Sequence, residues 1–131
     1  MGDYAIINLL DVEDSIGDRV DGLEGRFTRK QLGSTELGVS RFTYAPDLRS
    51  PFGHSHREQE EAYVVVSGSG RVRLDDEVRE IRQWDVVRVA PEVIRGFEAG
   101  PDGLELIAVG GPRPEGGDGV QLDAPWPDQR D

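Results

Sequence analysis

Glycine and proline fall throughout this chain, 17 and 8 of them in 131 residues, and they divide its apolar residues into short runs. A helix that buries one face needs an apolar repeat sustained over several turns, and no convincing long stretch of that kind is present. Short runs bounded by turn residues are instead the pattern of a sandwich or barrel of strands, so the fold class is all-β. Strands are expected at residues 25–31, 39–45, 54–56, 62–66, 71–74, 78–81, 86–89, 96–98 and 104–109, with an edge strand at 4–10 before an acidic loop. Asp75-Asp76, between Leu74 and Glu77, predicts a tight hairpin. Ser67-Gly68-Ser69-Gly70 reads as a turn between two strands, because the helix and lysine that a phosphate-binding glycine loop requires do not follow it. From residue 111 onward the chain is Pro/Gly-rich and acidic, which predicts an irregular arm. Trp126, between Pro125 and Pro127, is expected to dock that arm on the barrel or on a neighbouring subunit.

The length suits one domain, residues 1–131, with a barrel core at about 25–110. With 26 acidic against 15 basic residues the formal charge is -11. Such a field repels phosphate backbones and anionic lipid, so neither nucleic acid nor a membrane is expected as a partner. The chain has no cysteine, which excludes disulfides, thiolate metal sites and thiol nucleophiles. Its first residues show neither the basic region nor the apolar stretch of a signal peptide, and a cytoplasmic location is expected.

The chain has two histidines, both in His54-Ser55-His56. Extended backbone turns residues i and i+2 to one side, so the two imidazoles can converge. Glu61 opens the next apolar run and can bring a carboxylate beside them. Two imidazoles and a carboxylate form a ligand set for Fe(II), Mn(II), Ni(II) or Zn(II). The same residues also read as a charged, solvated connection, and Glu58 and Glu60 are alternative carboxylates if the strand begins earlier. Parity places Phe52 with the histidines, and Tyr63 and Val65 with Glu61. Tyr44 and Phe97 are further pocket candidates.

The longer pattern His-x-His-x4-Glu-x6-Gly, ending at Gly68, resembles the first motif of the cupins, although Leu48 stands where that family often has a glycine. A second cupin motif, Gly-x5-Pro-x-Gly-x2-His-x3-Asn, is matched only in register by residues 84–97 and the few beyond. Trp84, Ala90, Glu92, Arg95 and Ala99 replace its Gly, Pro, Gly, His and Asn. The resemblance implies a double-stranded β-helix barrel with His54, His56 and Glu61 as metal ligands, and with Arg95 in place of the fourth. Arg95 then has three possible roles: pairing with Glu61 in a metal-free pocket, clamping a substrate anion, or lying outward on the surface.

These readings predict a cupin-type protein that holds a divalent metal and acts on or binds a small organic acid, with Arg95 and Tyr63 as candidate catalytic groups. The alternative is a metal-free ligand-binding or sensor module built on an Arg95–Glu61 pair. A homodimer is expected as well, because Val86-Val87-Arg88-Val89 looks apolar on both faces and would need cover on its outer side.

Overall fold

Two long strands decide the architecture. A computed structural model describes residues 3–123 and 125–128, in which eight strands form one curled antiparallel sheet. The strands are β1 (Leu23–Phe27), β2 (Gly38–Tyr44), β3 (Gly53–His56), β4 (Glu61–Leu74), β5 (Glu77–Arg82), β6 (Val86–Val89), β7 (Arg95–Gly110) and β8 (Gly119–Leu122). A single helical turn, α1 (Arg29–Leu32), links β1 to β2. β4 and β7 each serve both halves of the sheet. In one half the order is β1, β2, residues 104–110 of β7, residues 61–68 of β4, then β6. In the other it is β5, residues 69–74 of β4, residues 95–99 of β7, β3 and β8.

The sheet can turn this corner because β4 changes parity within Ser67-Gly68-Ser69-Gly70. Tyr63 and Val65 point into the core before it, and Val72 does so after it. The β4–β7 register shifts between Val65 and Ser67 and again between Gly68 and Gly70. An extra residue in a strand reverses which alternate side chains face inward, so one strand can line the interior on both sides of the corner. The expected turn is therefore a bulged bend inside a single strand. Gly68 has φ +79°, and a Cβ there would lie 2.1 Å from the Gly103 carbonyl oxygen, so this crossing of β4 and β7 admits no side chain. Likewise, the segments expected at 96–98 and 104–109 are the two ends of β7.

Strand ends elsewhere follow their turn chemistry. Leu74 pairs with Glu77 across Asp75-Asp76, and Asp75 takes the left-handed φ of +53° that a two-residue hairpin demands. The edge strand expected at 4–10 does not form. Tyr4 and Ile6 are exposed, the latter by 91%, and only a short 3-10 turn occurs at Leu9–Asp11. β6 has one core face, carrying Val87 and Val89, and one outer face on which Val86 is 63% exposed and Arg88 pairs with Glu60. It is thus not apolar on both sides. No helix among the described residues is long and apolar enough to cross a membrane.

The C-terminal segment is more ordered than its composition predicts. β8 pairs with β3 along Gly53–Leu122 to His56–Gly119. Beyond it, Trp126 is 7% exposed and docks on the barrel itself. Its Nε1 donates to the Ser50 carbonyl at 3.2 Å, and the Arg49 guanidinium sits 4.1 Å from its ring centroid. Asp128 accepts from Arg49 and Arg71, which also hold Glu98 on the outer face of β7.

These ion pairs make the docking pH-dependent. Hydrogen bonding to Arg49 holds the Asp128 carboxyl below its usual range, and for Glu98 the bonds from Arg49 and Arg71 outweigh the opposing effect of burial. Both carboxyls have depressed folded-state pKa values. Their stabilisation is therefore complete above the ordinary carboxylate range and is lost as pH falls through and below it. With Trp84 replaced (Trp84→Phe), fluorescence reports Trp126 alone. Its emission should shift to the red on acidification before the sheet signal in circular dichroism is lost. Emission that holds steady until the whole chain unfolds would remove the ionic account of the tail.

Candidate metal centre

β3 and the start of β4 bring three ligand groups together. His54 and His56 share a face of β3, and Glu61 is the first residue of β4 on its inward face. The Glu61 carboxylate oxygen Oε1 lies 3.1 Å from His56 Nε2 and 3.7 Å from His54 Nε2. One ligand atom from each of the three residues lies within 4.8 Å of the others. Glu60 instead pairs with Arg88 at the surface, and Glu58 is exposed, so neither takes the ligand position.

A fourth residue sets the chemistry of His56. Asp118, buried just before β8, accepts a hydrogen bond from His56 Nδ1 at 2.9 Å through Oδ1. Through Oδ2 it accepts the backbone N–H groups of Glu58 and Gln59, both at 2.7 Å. The same carboxylate therefore fixes the connection from β3 to β4 and the ring within it. With Nδ1–H committed to a carboxylate, the neutral imidazole carries its lone pair on Nε2. That atom is buried, and although it is close to Glu61 it has no hydrogen bond with acceptable alignment. A carboxylate–histidine pair that leaves the other nitrogen free is the usual support for a metal-bound imidazole. The donor set thus fits a divalent metal.

The charges are tuned to match. Burial would raise the Glu61 carboxyl, but the adjacent His54 and His56 rings and the Tyr63 hydroxyl overcome it and hold this group well below the usual carboxylate range. Asp118 is held down to about 2: burial opposes this, and the two backbone N–H groups and His56 outweigh it. Burial lowers His56, yet the two flanking carboxylates raise it on balance. In the absence of a metal, a proton competes for the Nε2 position. Tyr63 donates its hydroxyl to Glu61 at 2.5 Å, and burial followed by the Glu61 charge pushes its pKa well above normal. It keeps its proton and acts as a donor.

Arg95 faces inward, directly across from His54 in the β3–β7 register, and is 0% exposed. Of the three roles considered for Arg95, the outward surface position is excluded by the parity of β7, which also buries Phe97 and Ala99. The expected pair with Glu61 does not form either. The Arg95 guanidinium donates to the main-chain carbonyls of Ala90 (3.0 Å) and Pro91 (3.4 Å), and it has no carboxylate within 4.0 Å among the described residues. Its charge still reaches the site, opposing protonation of His56 and favouring ionisation of Tyr63.

A cavity of about 620 Å³ opens beside the three ligands, and Arg95 is not part of its wall. Tyr44, Phe52 and Tyr63 line it together with Phe27 and Phe42, whereas Phe97 packs behind Tyr63 in the core at 4.8 Å between ring centroids. Asp118, Phe27 and Phe42 were not among the residues expected from sequence. The signal for Asp118 was the alternating run Gly119-Val120-Gln121-Leu122 after it, which marks a strand able to carry it back to the site.

No family model matches the chain, and no curated protein is significantly similar to it in sequence. Solved structures are similar in fold. A cupin protein from Bacteroides fragilis superposes with a TM-score of 0.71 at 23% identity, covering 88% of this chain and 89% of its own. An RmlC-like cupin from Shewanella frigidimarina gives 0.67 at 22% identity, covering 87% and 97%. Oxalate decarboxylase from Bacillus subtilis gives 0.74 at 20% identity over 88% of this chain, which spans only 31% of that protein. A curled antiparallel sheet shared over nearly the whole length of two small cupins gives this chain the fold of those proteins, a double-stranded β-helix.

Proposed function

We propose that the chain binds a divalent metal through His54, His56 and Glu61 and uses it to bind or transform a small organic acid in the adjoining cavity. The observation that carries this reading is His56 Nε2, a buried nitrogen left without a hydrogen bond while Asp118 holds its partner nitrogen. When bound, the metal would supply Lewis acidity, or with iron or manganese a redox centre, to a ligand beside it. The protein's own groups have separate tasks. Asp118 fixes the His56 tautomer and Tyr63 orients the Glu61 carboxylate. Arg95 contributes a permanent positive charge behind the ligands, favouring an anionic ligand over a neutral one. The metal-free sensor reading rested on an Arg95–Glu61 pair, and the carbonyl partners of Arg95 take that support away.

Elemental analysis and metal titration of the untagged protein test the site. Incubation with Fe(II), Mn(II), Ni(II) or Zn(II) should give stoichiometric binding of at least one, and His54→Ala or Glu61→Ala should abolish it. Binding well below one ion per ten chains for every metal would overturn the reading.

Asp118→Asn isolates the supporting carboxylate. The shape is kept while the charge that fixes the His56 tautomer is lost, so metal affinity should fall by about 10- to 100-fold. Circular dichroism checks that β8 remains in place. Unchanged affinity in a folded variant would show that Asp118 serves only to tie down the β3–β4 connection.

A further inference from the structure

The cavity carries a charge pattern opposite to that of the chain. The sequence has 26 acidic residues and 15 basic ones, yet the cavity wall holds three arginines, Arg19, Arg29 and Arg113, against Glu61 as its one carboxylate. Arginines elsewhere are commonly matched: Arg26, Arg41, Arg49, Arg71, Arg79 and Arg88 each have a carboxylate partner. Among the described residues, neither Arg29 nor Arg113 has a carboxylate within 4.0 Å.

Both guanidinium groups are given room by the backbone. A Cβ at Gly38 would lie 2.8 Å from Arg29 Nη2, and one at Gly117 would lie 3.0 Å from Arg113 Nη1. Thr28, whose buried hydroxyl donates to the Val39 carbonyl at 2.6 Å, anchors the start of α1 and so aims Arg29 over Gly38. Among the described residues the Arg29 head group donates one long hydrogen bond, 3.5 Å, to the Gly111 carbonyl. The two arginines are near enough for Arg113 to add to burial in lowering the pKa of Arg29. Bringing two cations together costs free energy, and an anion bound between them would relieve that cost.

The register fixes how far Arg29, over Gly38, lies from the ligands. Gly38 pairs with Gly110, and Gly110 pairs with Glu61, so β2, β7 and β4 place the three residues in one row. Adjacent strands are about 4.8 Å apart, which puts Glu61 and Gly38 roughly 10 Å apart across the cavity floor. Phe27, Phe42 and Tyr44 add aromatic surface to the wall of the same cavity.

Resting on the metal-site reading above, we propose that Arg29 and Arg113 form the carboxylate-binding end of the cavity, selecting an elongated acid with an aromatic or aliphatic body whose far end reaches His54, His56 and Glu61. Short acids cannot span the two ends. Neutral analogues of the same shape lose the ionic contact.

Calorimetric titration of the full chain with 3-phenylpropanoate, 3-phenylpropanol and acetate tests this, in the metal-free protein and again with Zn(II). Wild type should bind 3-phenylpropanoate at least tenfold more tightly than either comparison ligand. Arg29→Gln and Arg113→Gln should each weaken the acid by about 10- to 100-fold, the range expected for charged hydrogen bonds, and leave the alcohol unchanged. The alcohol also reports that the aromatic wall is intact. Acid binding indifferent to both substitutions, or acetate bound as tightly as the longer acid, would overturn the proposal while leaving the metal reading standing. Arginine-dependent acid binding in a protein that takes up no metal would do the reverse.

Discussion

The bulge in β4 is the constraint on which the rest depends. A strand of 14 residues with uniform alternation would give the interior of only one half of the sheet its inward side chains. Slipping parity at Ser67-Gly68-Ser69-Gly70 lets the same strand present Glu61 and Tyr63 to the cavity and Val72 to the core beyond the corner. β7 does likewise, with Phe97 and Ala99 inward before its bend and Leu104, Leu106 and Ala108 inward after it. Both strands bend where they cross, and the glycines there admit no side chain. The interior position of Arg95 is a consequence of that geometry, since its strand has no other parity that also buries Phe97.

Burial then sets the electrostatics. Burying a guanidinium is costly for every donor left unsatisfied, and Ala90 and Pro91 supply carbonyls to Nη2 and Nη1 while Nε remains unpartnered. Carbonyl partners satisfy hydrogen bonds without neutralising charge. Arg95 therefore keeps a positive charge that a carboxylate partner would have cancelled, and Glu61 is left to the histidines and Tyr63. The cost falls on metal affinity, because a second cation is brought toward the first. Two carboxylates flanking His56 offset that cost from the other side.

What the sequence made legible was local. His54, His56 and Glu61 lie within one strand, a short connection and the next strand's first residue, so spacing alone could bring them together. The hairpin at Asp75-Asp76 was legible for the same reason. Ser67-Gly68-Ser69-Gly70 was misread because a turn and a bulge draw on the same residues: both need positive φ and close approach, and only the pairing partner distinguishes them. Asp118 left only the faint signal of the alternating run after it, because it contacts His56 across 62 residues from a segment whose composition resembles an irregular arm. The partners of Arg95 were equally hidden, since main-chain carbonyls leave no mark on the sequence. Residues 4–10 have strand-like letters, but they pair with no strand, and the free edge of β1 is met only by the isolated bridge of Asp14 with Arg26.

The C-terminal segment joins two faces of the barrel that have separate work. On the cavity side it contributes Arg113, Asp118 and Gln121, and on the outer side Trp126 and Asp128. Between them, β8 pairs, among the described residues, with β3 alone, the strand that carries both histidines. Ser50 connects the two ends of this arrangement, as its carbonyl takes the Trp126 indole N–H while the residue itself lines the cavity. The tail latch and the carboxylate behind His56 therefore load the same strand from opposite directions. Besides its one paired position with β7, His54 with Arg95, this segment is tied down where Ser50 N–H donates to the Phe97 carbonyl and His56 N–H to the Pro91 carbonyl.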